Sequence, residues 1–129
     1  MLRNQKGFTL IEIIAVLVIL GVLAAVAVPK YVDMQTQAKK SAAMGQVAEL
    51  KGTLNSAWGK AFLVTSAVPS LAAVLSNSGL SASGTLGSAP DSWGYTLVAI
   101  SGNTGYTVGV TSRDGDTDYV ASGNWMMPP

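Results

Sequence analysis

Residues 7–29 carry one charge, Glu12, in an otherwise apolar run rich in Ile, Leu, Val and Ala. A helix needs roughly 20 such residues to cross a bilayer core. A charged side chain at the centre of such a helix costs about 2.5–3.5 kcal/mol, so an acid in this segment reads as functional and calls for a partner. Arg3 and Lys6 precede the run, and basic residues on that flank hold it in the cytoplasm.

The remaining composition narrows the function by exclusion. A chain of 129 residues has room for one compact domain beside the apolar segment. Formal net charge is +1; without Arg3 and Lys6, six basic residues face seven acidic ones. Nothing in that balance steers nucleic acid, and none is expected as a partner. Cysteine and histidine are both absent. That removes disulfides, the usual zinc ligands, the thiol nucleophile and the commonest general base. No carboxylate or Ser/Lys constellation takes their place, so the chain does not read as an enzyme and no catalytic residue is assigned.

Three readings compete for the N-terminus. Ala25-Val26-Ala27 fits a signal-peptide cleavage pattern, and cutting there would leave Val28 first. A simple anchor would tolerate Glu12, because a first-turn carboxylate gains about 0.3–1 kcal/mol from the helix dipole. Neither explains Lys6-Gly7-Phe8-Thr9-Leu10-Ile11-Glu12 as a block. This string, continued by the aliphatic run through Pro29 and by Tyr31, resembles the class III signal of type IV pilins and type II secretion pseudopilins.

The resemblance implies cleavage between Gly7 and Phe8 by prepilin peptidase, and N-methylation of Phe8. It also gives Glu12, with the new Phe8 amine, a role in subunit recruitment and register. Two opposite charges can relieve each other's burial when helices bundle, and such pairs are best used to set register. Pairing within one chain is equally open, four residues apart on one helical face. Pro29 removes a helical hydrogen bond and Gly21 loosens the run, so a kink or local melting is expected at residues 25–28. Stretching of that region in filaments is implied by the resemblance.

Beyond Pro29 the apolar pattern becomes one-sided. Ala43, Val47, Leu50, Leu54, Ala57, Trp58, Ala61 and Phe62 recur at steps of three or four, as in an amphipathic helix. Gly45, Gly52 and Gly59 fall seven apart, on a stripe that a helix or strand could approach closely. Residues 71–75 read as a short helix ended by Asn77-Ser78-Gly79, and residues 81–90 as an exposed connection. Residues 95–100 and 106–111 read as a hairpin, with a third strand at 119–121. The predicted fold is α+β: a long N-terminal helix packed on a small antiparallel sheet, the pilin fold. Its parts are a leader (1–7), a transmembrane or filament-core helix (8–29), its amphipathic continuation (30–64) and a β-rich domain (65–129).

Arg113-Asp114-Gly115-Asp116-Thr117-Asp118 is the one acidic cluster. Asp114, Asp116 and Asp118 could ligate calcium through hard oxygens, although no closing Glu makes this an EF-hand. A solvated turn is the competing reading, and no other cofactor is expected. Asp91-Ser92-Trp93-Gly94-Tyr95 and Gly123-Asn124-Trp125 resemble stretches of the major pseudopilin, whose C-terminal loop binds calcium.

These readings converge on the major structural subunit of a type IV pilus-like helical homopolymer. It would sit in the bacterial inner membrane as a precursor and then in an extracellular filament. The resemblance implies prepilin peptidase, an inner-membrane platform protein, an assembly ATPase and an outer-membrane secretin as partners. The alternatives are the major pseudopilin of a periplasmic type II secretion pseudopilus and a monomeric membrane-anchored binding module.

Overall fold

The computed structural model describes residues 7–129. The basic leader residues Arg3 and Lys6 therefore lie outside the described part. One helix, α1 (Leu10–Thr65), takes up the aliphatic run and its amphipathic continuation. It passes through Pro29 without interruption, so the local melting expected at residues 25–28 does not occur. A proline removes one N–H from the ladder, and the bonds of the flanking turns keep the helix going.

The chain divides into two compact units between Thr36 and Gln37. In the first unit every described residue is exposed, including Leu10, Ile11, Leu17, Val22, Val26 and Tyr31. An 18-residue window of this helix is apolar enough to cross a membrane, and none of it is buried.

In the second unit, α1 buries Ala43, Val47, Leu50, Leu54, Ala57 and Ala61. The steps of four and three are those of the predicted stripe. Trp58 is only half-buried and Phe62 is 39% exposed; the two rings stack at 5.3 Å. Helix α2 (Leu71–Ser78) starts at Ser70, whose side chain accepts from the Ala73 N–H. It ends at Gly79, where φ of 70° suits a residue without a Cβ.

Four strands follow: β1 (Ser83–Leu86), β2 (Trp93–Ala99), β3 (Gly105–Arg113) and β4 (Ala121–Met126). They form one antiparallel sheet in chain order. Alternate residues Tyr95 and Leu97, Tyr106, Val108 and Val110, and Ala121 and Trp125 join the core with the buried face of α1. Burying a leucine such as Leu50 or Leu54 contributes about 2 kcal/mol. The predicted α+β architecture is the one observed.

Two strand expectations need correction. The presumed connection at residues 81–90 contains β1, an exposed Ser/Gly/Thr edge strand that shows no apolar alternation to betray it. The third predicted strand starts later, at Ala121, and runs to Met126. There Trp125 packs inward and its indole N–H donates to Asn55 Oδ1 at 2.7 Å.

A Cβ at Gly105 would collide with the Trp125 backbone carbonyl, whereas one at Gly59 would meet nothing within 4 Å. Gly105→Ala should destabilise the domain by about 3 kcal/mol, since strand backbone must move to admit it. Gly59→Ala should stabilise the helix by about 1 kcal/mol. Thermal unfolding of both variants checks the contrast.

Candidate functional site

Gly7, Phe8 and Thr9 precede the helix, and all three are exposed. Thr9 starts α1: its Oγ1 accepts from the Glu12 N–H at 3.3 Å. Its carbonyl accepts from the N–H groups of Glu12 and Ile13 at 3.1 and 3.3 Å. Thr9 is thus the N-cap and Glu12 the third helical residue, in the first turn where the macrodipole favours a carboxylate. The pattern Thr-x-x-Glu is a capping-box spacing, a local sequence signal that marks this helix start.

This cap alters one expectation. Phe8 stands outside the helix, so it does not share a helical face with Glu12 in this chain. Gly7 and Phe8 are non-helical and exposed, and Glu12 is exposed on the first turn. Gly21 lies within α1 with open space around its α-carbon, and Pro29 lies eight residues further on the same helix.

The acidic run is a second site. Asp114 and Gly115, at φ 48° and 84°, are the centre of a tight two-residue turn closed by paired backbone bonds between Arg113 and Asp116. Two central residues at positive φ are the type I′ requirement, and Asp-Gly is a preferred pair for it. The three acids do not share one focus. Asp114 accepts from the N–H and hydroxyl of Ser92 at 2.8 and 2.9 Å. Asp116 and Asp118 instead converge on Lys39 of α1, whose Nζ lies 2.8 and 3.0 Å from their carboxylates. Among the described residues, no group of three His, Cys, Asp or Glu side chains is placed to hold a metal.

Aromatic rings and cations alternate beside this pair. Lys39 Nζ lies 5.2 Å from the Tyr119 ring centre, and the Arg113 guanidinium lies 5.6 Å from it. Arg113 also covers Trp93 at 5.3 Å and is ion-paired with Asp91. The Trp93 and Tyr119 rings meet edge to face at 5.6 Å. The Trp93 and Trp125 stretches that resemble a pseudopilin therefore serve packing here. Lys39 had no local signal in the sequence, because its acidic partners stand 77 and 79 residues away.

Comparison with known proteins bears on the first site. Residues 2–28 match the family model of the prokaryotic N-terminal methylation motif, which takes in Gly7, Phe8 and Glu12. A fimbrial protein of Pseudomonas aeruginosa is 43% identical over 56 residues, 43% of this chain and 36% of the relative. Type II secretion system core protein G of the same species is 47% identical over 53 residues, 41% and 37% of the two chains. The type IV narrow pilus major component of Thermus thermophilus is 53% identical over 38 residues, 30% and 33%. No solved structure matches. The match spans about a third of the length of these relatives. The chain thus carries the N-terminal methylation motif, and its relatives are type IV pilins and type II secretion pseudopilins.

The Lys39 contacts set a pH window. The Lys39 ammonium, helped by the Asp118 N–H, holds the Asp116 carboxyl below its ordinary 3.8. The same carboxylates, Asp116 first, raise Lys39 above its ordinary 10.5. The depressed acid stabilises the fold fully above its ordinary value and loses that effect as pH falls through its lower folded value. The raised lysine stabilises fully below 10.5 and loses its effect at still higher pH. Melting temperature should therefore fall below about pH 4. Asp116→Asn should flatten that acid limb in thermal melts taken across pH.

Proposed function

We propose that the chain is the subunit of a type IV pilus-like filament, cut between Gly7 and Phe8 and polymerised through its N-terminal helix. The observation that carries this reading is a membrane-length apolar stretch at the start of α1 with no residue buried, led by Glu12 and matched by the methylation motif. Such a surface needs a bilayer first and neighbouring helices afterwards. Prepilin peptidase would cut the exposed 7–8 peptide and methylate the new amine of Phe8.

In the assembled state the Phe8 amine and a neighbour's Glu12 neutralise each other, and the pairing selects one axial offset. An inner-membrane platform protein, an assembly ATPase and an outer-membrane secretin would drive extrusion. The small outer domain, rich in Gly, Ser and Thr, favours a long extracellular filament. The second reading is the major pseudopilin of a type II secretion pseudopilus, favoured by the similarity to core protein G. No enzymatic step and no nucleic-acid contact belong to either reading.

Intact-mass analysis should find the mature chain beginning at N-methyl-Phe8. A mature chain beginning at Val28 would sink the filament reading, since helix and Glu12 would both be gone. Glu12→Ala should leave membrane insertion intact and abolish filaments in the sheared fraction. Electron microscopy of that fraction from the unaltered chain should show long fibres; their absence, with the chain confined to the periplasm, would favour the pseudopilus.

A further inference from the structure

The acidic turn between β3 and β4 is closed by a cation that the chain itself supplies. We propose that the Lys39 ammonium is a resident substitute for a metal ion, so that this loop docks on α1 without calcium. The inference is independent of whether the chain polymerises.

Two carboxylate oxygens, from Asp116 and Asp118, point at one spot, and Lys39 Nζ occupies it at 2.8 and 3.0 Å. The Asp118 N–H donates to the other oxygen of Asp116 at 2.9 Å, which fixes that carboxylate's orientation. Tyr119 lies within cation–π range of both Lys39 and Arg113, so the strand-leading ring is held by two cations. The Lys39 side chain is only 21% exposed although its carboxylate partners are more open. An ammonium in that position repels a divalent cation and takes up the oxygens it would need. Asp114, the remaining acid of the run, is turned away to Ser92, whose N–H and hydroxyl both donate to its Oδ1.

A consequence follows for variants. Removing the ammonium leaves two converging carboxylates and no counter-charge, which is the start of a hard-cation site. Lys39→Met, which keeps the aliphatic stem, should therefore create calcium dependence where there was none. Lys39→Arg should keep the loop closed by charge.

The test is thermal unfolding of the full chain in detergent, with calcium or with chelator, alongside terbium luminescence sensitised by Tyr119. For the unaltered chain, calcium and chelator should leave the melting temperature unchanged, and terbium should give no sensitised emission. Lys39→Met should melt lower by roughly 3 °C, regain that loss in millimolar calcium, and sensitise terbium. Adding Asp116→Asn to Lys39→Met should abolish both responses. If Lys39→Met does not fold alone, refolding with and without calcium reads the same dependence. A calcium response by the unaltered chain would overturn the proposal, as would a Lys39→Met chain that neither regains stability in calcium nor sensitises terbium.

Discussion

Apolar helix surface left open to the surroundings is the constraint on which this chain's organisation depends. Every described residue before Lys39 is exposed, and most of those from Phe8 to Val28 are aliphatic. Apolar area in water is unfavourable by about 25 cal/mol per Å², so a surface of this kind has to be covered. A bilayer can do so for a single subunit, and helices of other subunits can do so in a polymer. The lone carboxylate in the first turn is tolerable at the helix start, where Thr9 caps the backbone and the dipole favours a negative charge.

The second unit solves a different physical problem with the same helix. From residue 43 onward the apolar positions narrow to one stripe, and the sheet and α2 supply the matching surface. The opposite stripe of Gly45, Gly52 and Gly59 has open space at each α-carbon, so these residues are not there to admit part of their own domain. Close approach is instead admitted by glycines of the sheet, among them Gly105 against the β4 backbone and Gly123 against the Lys51 side chain of α1. Beside this core, Lys39 and Arg113 tie the last loop down through carboxylates and rings.

Legibility in the sequence followed the range of the interactions. The helical stripe, Leu71–Ser78 and the β2–β3 hairpin have periodic or capping signals within a few residues, and they appear close to where those signals fall. Edge strand β1 has no such signal, since Ser83, Gly84 and Thr85 are exposed and are held by backbone pairing to β2. Asp114, Asp116 and Asp118 looked equivalent along the chain. A two-residue turn separates them in space, sending the first to Ser92 and the other two to Lys39.

The sequence by itself determined the membrane-length apolar segment, the single acid within it and the processing motif, because each is a property of consecutive residues. It also determined the amphipathic stripe, through a period that the helix geometry imposes. Tertiary structure alone decided which cation meets the acidic turn, which face of Trp93 and Tyr119 is covered, and where a Cβ is forbidden. Those outcomes depend on residues dozens of positions apart meeting in the folded second unit, and no local pattern encodes their distance.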